Sequence, residues 1–352
     1  MKFLCEKVIK LSRNNRPYSV KSPNVPWNVL FFGTDKFSLY SLESLNRERM
    51  NGSILNGIEI VTTCKGKSNP VKKYAVQNEL VIHSWPFTVP KNVYDVGLVV
   101  SFGHLIPESV IARFPLGMLN VHASLLPRWR GAAPIIYALA NGDSETGVTV
   151  MRIKPDHFDI GDIVMQKKIS ISQDTQMPQL HKELGHLGAD CLISTLRNLP
   201  NLLENAVPQP NTGVTFAPKI MPEFAVVDWN SMTSNQVYNL YRSLKGLQSP
   251  TTSWSGLQMK LTDLEDCGHC GVLEDCEMSP GYVKYDKTNR TLIVTCASHS
   301  HIRVRQVQVH GRKVMSATDF NNGFVMKELA SKRYFKYIDC ISYLRTCFST
   351  TL

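Results

Sequence analysis

The 352-residue sequence has no apolar run long enough to cross a bilayer, so no helical membrane span is expected. Its nine cysteines are scattered and odd in number, which excludes a disulfide framework and favours a reducing compartment. Cys267-Gly268-His269-Cys270 with Cys276 begins a zinc pattern, but a second cysteine pair at ligand spacing is missing. Cys296, His299 and His301 are poor substitutes, so an incidental Gly-Cys loop and no metal are expected. The first strand candidate, Asn28–Phe32, is followed by the single glycine Gly33, where a dinucleotide fingerprint needs three. Internal repeats and low-complexity tracts are also lacking.

Acid is scarce in one place. Residues 1–26 carry six basic residues against Glu6 alone, half of the formal net charge of +10. With Ser12, Ser19 and interspersed apolar residues, this composition fits an organelle transit peptide better than a secretory signal. Residues 27–216 are nearly neutral, and residues 217–352 hold 16 basic against 12 acidic residues. Within that last part, 284–352 holds 12 basic against 4 acidic residues, which favours a basic surface in a second domain.

What is present reads as an α/β chain. Short apolar runs at 28–32, 58–62, 81–83, 96–100, 120–122, 147–153 and 164–171 alternate with helical periodicity at 71–79, 134–141 and 176–199. That alternation predicts a mainly parallel, Rossmann-like sheet over 27–199. Residues 200–216, with three prolines and no period, read as a linker. Beyond it, a helix at 234–244 and short strands at 258–262, 281–285, 291–295 and 302–309 predict a small OB-like β-barrel over 217–330, with a basic tail at 331–352.

The chemistry concentrates in Leu119-Asn120-Val121-His122-Ala123-Ser124-Leu125-Leu126-Pro127, followed by Arg128-Trp129-Arg130-Gly131. Residues two apart in a strand share a face, so Asn120 and His122 project together. Such a pair is more commonly a satisfied polar pair at a turn, and an Asp before a turn glycine is ordinary loop chemistry. Their joint occurrence with other motifs changes the balance. Asn-x-His-x-Ser-Leu-Leu-Pro, a downstream Phe158-Asp159-Ile160-Gly161 loop, Phe32-Gly33-Thr34-Asp35, and Gly311-Arg312-Lys313-Val314-Met315-Ser316-Ala317 resemble the 10-formyltetrahydrofolate-dependent formyltransferases. With Arg128-Trp129-Arg130-Gly131-Ala132-Ala133-Pro134 and the basic leader added, the likeness narrows to the mitochondrial branch that acts on methionyl-tRNA, over roughly residues 27–325.

That resemblance implies transfer of a formyl group from 10-formyltetrahydrofolate to the α-amine of methionyl-initiator tRNA, in the mitochondrial matrix, by a monomer that needs no metal and no membrane. It implies catalytic roles for Asn120, His122 and Asp159. Asn120 and His122 offer N–H donors to a developing oxyanion, and an acid beside His122 orients the ring and favours its charged form. Asp156 is a second acid in the same loop, but Phe158-Asp159-Ile160-Gly161-Asp162 carries the better match. The folate is expected against Ser124, Leu125, Leu126 and Pro127 and against Ser101, Phe102 and Gly103. The tRNA is expected at Arg128, Trp129, Arg130, Lys65, Lys67, Lys72, Lys73, Arg312 and Lys313. Bacterial members carry a longer basic insertion after the second strand; the matching segment here, Lys65 to Lys73, is short and lacks Arg. The competing readings are a formyltransferase for a small amine, such as glycinamide ribonucleotide or an amino sugar, and a non-catalytic RNA-binding protein of this fold.

Overall fold

The computed structural model describes residues 25–63, 69–267 and 279–338. Most of the expected leader, Lys65, Lys67, Cys270, Cys276 and the tail from 339 onward lie outside the described residues. Among those described, 25–135, 144–171 and 179–218 form one compact unit, and 136–143, 172–178 and 219–338 a second.

Through residue 218 the elements run β1 (Trp27–Gly33), α1 (Lys36–Asn51), β2 (Leu55–Thr62), α2 (Pro70–Gln77), β3 (Ile82–Ser84), β4 (Val96–Val100), α3 (Glu108–Ile111), β5 (Met118–His122), α4 (Pro134–Ala140), β6 (Glu145–Arg152), β7 (Ile163–Ser170), α5 (Met177–Arg197) and α6 (Asn201–Glu204), of which α4 falls mostly in the second unit. The sheet order is β3-β2-β1-β4-β5-β6-β7. The strands from β3 to β5 pair in parallel, and the order reverses between β1 and β4, where open α/β sheets bind ligands at the strand ends. The last two pairings, β5 with β6 and β6 with β7, are antiparallel. The parallel half was legible from alternation; β7 reverses on β6 because only a loop joins them, whereas β6 is antiparallel to β5 although α4 lies between them.

Local chemistry explains the elements. Every residue of β4 is buried, as an apolar strand in the middle of a two-sided sheet should be. It packs with Leu30, Phe32, Val61, Phe102 and Phe114 in one core cluster. Helix α1 starts where the Asp35 side chain accepts from the Ser38 N–H and the Ser38 side chain answers at the cap backbone, a capping box. It stops at Gly52, whose φ of 67° suits the left-handed turn.

Residues 200–216, expected as a linker, are built into the first unit. Val207 exchanges two backbone hydrogen bonds with Ile163, at 2.7 and 2.9 Å. Arg130 donates its N–H to Thr215 at 2.9 Å and accepts from Ala217 at 2.7 Å. Of the prolines that suggested a linker, Pro200 caps α6, and Pro208 and Pro210 lie on an intermittently paired edge, since proline cannot donate to a ladder.

The second unit holds α7 (Ser234–Leu244), β8 (Thr251–Trp254), β9 (Leu257–Asp266), β10 (Val283–Asp286), β11 (Thr291–Thr295), β12 (His301–Val309), β13 (Met315–Ser316), α8 (Ala317–Gly323) and β14 (Phe335–Lys336). Its antiparallel sheet runs β10-β11-β12-β9-β8-β14, with register shifts at Val304/Gln306 and Gln306/Val307 that let long strands curl. This agrees with the expected OB-like domain. Arg303 and Arg305 of β12 both pair with Glu265, so part of the expected basic surface is neutralised internally.

Candidate active site

Strand β5 lies between β4 and β6, so its side chains are covered on both flanks. His122 is 6% exposed, and Asn120 is half-buried on the same face two residues earlier. A buried imidazole needs partners for both nitrogens. Its Nε2 lies 2.9 Å from the carbonyl oxygen of Trp129. A carbonyl can only accept, so Nε2 carries the proton and Nδ1 is the nitrogen left for other work. Nδ1 lies 3.5 Å from Asp159 Oδ1.

Asp159 belongs to the loop between β6 and β7, which folds back over the Asn120–His122 face. Its Oδ2 accepts from the Gly131 N–H at 2.9 Å, a firm anchor. Its Oδ1 takes the long contacts, 3.4 Å from Asn120 Nδ2 and 3.5 Å from His122. One carboxylate oxygen is thus fixed, and the other faces two potential donors without being saturated by them. Such lengths are common in ligand-free sites and shorten when a reacting group enters. Asp156, the competing acid, is exposed.

Two residues here hold the left-handed backbone that side chains normally avoid, Trp129 at φ 64° and Asp159 at φ 56°. Both are tied on either side: Trp129 donates its N–H to Thr215 Oγ1 at 2.8 Å, and the Asp159 carbonyl accepts from Gln209 Nε2 at 2.9 Å. Strain of this kind persists where the surroundings over-determine it, which is typical of functional loops.

The expected folate segments divide into two kinds. Around Ser124–Pro127 all four backbone carbonyls and the Leu126 N–H already have partners. Thr149 Oγ1 donates to the Ser124 carbonyl at 2.6 Å and accepts from the Leu126 N–H at 3.1 Å. Gln166 Nε2 donates to the Leu126 carbonyl at 2.8 Å, and Ser124 Oγ donates to the Arg128 carbonyl at 2.6 Å. This turn can therefore offer a rigid apolar wall, chiefly from the half-buried Leu125 and Pro127. At Ser101–Phe102–Gly103, Thr34 donates to the Ser101 carbonyl at 2.9 Å and Ser101 Oγ to Asp35. Phe102 is buried against Phe32 and Trp85, while Gly103 is exposed at φ 75°. Both segments follow the carboxyl ends of β5 and β4, beside the reversal in strand order.

Among the residues expected to hold tRNA, Trp129 is corrected. It is 7% exposed, and the Arg128 guanidinium covers its ring at 4.3 Å, so the indole is not open to a base. Its contribution is the carbonyl that holds His122. Arg130 is half-buried, with Nε and Nη2 donating to Gln209 Oε1 at 3.1 and 2.7 Å. Lys72 and Lys73 lie on α2. In the second unit Lys313 is exposed, and Arg312 is exposed with its guanidinium 5.2 Å from the Phe324 ring centre. Sequence reading missed Thr149, Gln166, Gln209 and Thr215, because ordinary polar residues in strands and Pro-rich stretches give no signal of what they will meet. Among the described residues, no group of three or more His, Cys, Asp or Glu could hold a metal ion.

Residues 88–196 match the formyl transferase family, and residues 219–325 match its C-terminal domain. The chain is 41% identical over 309 residues to the mitochondrial methionyl-tRNA formyltransferase of Homo sapiens, covering 85% of this chain and 78% of the relative. It is 31% identical over 310 residues to the methionyl-tRNA formyltransferase of Staphylococcus aureus, covering 84% and 96%. Among solved structures, it resembles the N-formyltransferase of Helicobacter canadensis in complex with folinic acid and dTDP-3-aminofucose. That likeness has a TM-score of 0.59 at 16% identity, over 81% of this chain and all of the other. HypX from Aquifex aeolicus in complex with tetrahydrofolic acid gives a TM-score of 0.53 at 13% identity, over 86% and 48%. These two likenesses concern the fold.

Proposed function

The chain belongs to the formyl transferase family, with both its catalytic and C-terminal domains, and on that premise we propose that it formylates methionyl-initiator tRNA in the mitochondrial matrix with 10-formyltetrahydrofolate as donor. The observation that carries the reading is the convergence of Asn120, His122 and Asp159 around one carboxylate oxygen.

In the reaction, the amine nitrogen of the methionyl ester attacks the formyl carbon, and the carbonyl π pair moves onto oxygen. The tetrahedral adduct collapses by breaking its bond to the folate nitrogen, which leaves with the proton that the amine gives up. The groups facing Asp159 Oδ1 suit each need. Asn120 Nδ2 and a protonated His122 Nδ1, held only by long contacts to the carboxylate, are placed to donate to the developing oxyanion. Asp159, anchored through Oδ2, is the base that receives the amine proton directly or through a water. His122 keeps its orientation throughout because Nε2 stays on the Trp129 carbonyl.

The folate substrate fits between the wall formed by Leu125 and Pro127 and the exposed backbone at Gly103. The acceptor end of the tRNA is gripped by Arg128 and Arg130, with Lys65, Lys67, Lys72, Lys73, Arg312 and Lys313 as phosphate contacts. The protein acts as a monomer, without a membrane anchor, and its basic leader directs it to mitochondria. The catalytic domain takes in residues 27–216, and the basic C-terminal domain the remainder of the fold. The test is direct. Purified protein with 10-formyltetrahydrofolate should convert methionyl-tRNA to formylmethionyl-tRNA and leave free methionine unmodified; unmodified tRNA, or equal use of free methionine, would overturn the reading.

A further inference from the structure

We propose that Gln209, in the stretch Pro208-Gln209-Pro210, is a positioning residue that holds the Asp159 loop and the Arg130 guanidinium in one frame. The inference rests on the proposed formyl transfer for its kinetic test, and on geometry alone for its structural one.

A primary amide has two acceptor positions on oxygen and two hydrogens on nitrogen. All four are in use at Gln209. Its Oε1 accepts from Arg130 Nε at 3.1 Å and Nη2 at 2.7 Å. Its Nε2 donates to the carbonyls of Asp159 and Gly161, both at 2.9 Å. The guanidinium can only donate and the carbonyls can only accept, so the amide has one permitted orientation. No other uncharged side chain of this length supplies both halves.

The placement of Gln209 is itself fixed. Two residues earlier, Val207 is paired with Ile163, just past the loop that carries Asp159. The flanking prolines hold their own φ angles, and Pro210 keeps Gln209 out of helical backbone. The consequences reach the site along two short routes. Through the Asp159 carbonyl, Gln209 fixes a residue at φ 56°, and so the direction in which its carboxylate leaves the chain. Through Arg130 it steadies the strip whose neighbours are the Trp129 carbonyl on His122 and the Gly131 N–H on Asp159. Because its partner is neutral, Arg130 is oriented without losing its charge and stays attractive to an anionic group of the substrate.

Gln209→Glu and Gln209→Ala both remove the donor half, by different means. Glu keeps an acceptor for Arg130 but sets an oxygen against two carbonyls, whereas Ala removes both halves. In formylation kinetics, Gln209→Glu should lower kcat by about tenfold or more and, because a carboxylate there would neutralise Arg130, raise KM for methionyl-tRNA. Gln209→Ala should lower kcat as much and raise that KM as well. Unchanged kcat in both, or a rise in KM alone in Gln209→Glu, would overturn the proposal. Hydrogen exchange over residues 129–133 supplies a readout independent of activity. Exchange should speed by about tenfold in both variants relative to the rest of the first unit, since the Gly131 N–H loses its fixed acceptor. Unchanged exchange there would overturn the positioning role. If the wild-type protein did not formylate methionyl-tRNA, the functional reading would fall, and the exchange result would still decide on Gln209.

Discussion

The imidazole of His122 hangs from the backbone carbonyl of Trp129, with Nε2 2.9 Å from that oxygen. The carbonyl belongs to a residue at φ 64°, so the orientation of a buried histidine is set by a backbone conformation that a tryptophan rarely adopts. It follows that Nε2 holds the proton in the neutral ring and that proton exchange with the site occurs at Nδ1. Nitrogen NMR on histidine-labelled protein, assigned with His122→Gln, should show the Nε2-protonated tautomer at high pH. The opposite tautomer would contradict the arrangement.

Gly161 is the second expected weak point. A Cβ there would overlap the Arg152 carbonyl, which is backbone and cannot move aside. The same glycine's carbonyl accepts from Gln209 at 2.9 Å. Gly161→Ala should displace the loop and lower kcat by about a hundredfold, while the second unit stays folded. The measurement is formylation kinetics alongside thermal unfolding; activity within about threefold of wild type would show that the loop tolerates the shift.

In the second unit Arg242 is 3% exposed and binds only through neutral acceptors in the contacts seen: Asn239 Oδ1 at 2.7 Å and the carbonyls of Ser172 and Thr175 at 3.1 and 3.2 Å. Burial lowers the affinity of this guanidinium for its proton, although it remains charged. Arg242→Ala should cost about 3 kcal/mol by stranding two carbonyls and leaving a void. Arg242→Lys should recover part of this, since one ammonium cannot reproduce the fork. Denaturant midpoints of the two variants check the order.

A pH effect is expected at Glu59. Burial alone would raise its pKa, but hydrogen bonds from His83 and Tyr94, each 2.6 Å from Oε2, and the charge of His83 outweigh burial and hold it below the ordinary value. A depressed carboxyl stabilises the fold above its unfolded pKa, and that contribution is lost as pH falls through the folded one. Glu59→Gln should therefore lower stability at neutral pH and flatten its decline in acid. Parallel acid limbs in the two proteins would contradict this.

How much was legible follows from what each residue needs. Asn120 and His122 were visible because two polar side chains on one face of an apolar strand occur together with the other motifs, and Asp159 because its loop motif accompanies them. The parallel half of the sheet was visible in the alternation of strands and helices. The antiparallel pairings of β6 and β7 were not, because a helix, α4, precedes β6 just as helices precede the parallel strands. Trp129 was expected to meet the tRNA, and its burial was not legible: it goes with Arg128 covering the ring and with a left-handed backbone angle. Gln209 was hidden in a Pro-rich stretch whose composition resembles a tether. Its partners come from two segments distant in sequence.

The most direct measurement is single-turnover transfer of a labelled formyl group from 10-formyltetrahydrofolate to methionyl-tRNA by wild type, Asp159→Asn and Asp156→Asn. The expected result is transfer by wild type, a loss of about a hundredfold or more in Asp159→Asn, and a rate within about threefold of wild type in Asp156→Asn. Transfer that survives Asp159→Asn, or that fails in Asp156→Asn alone, would contradict the site described.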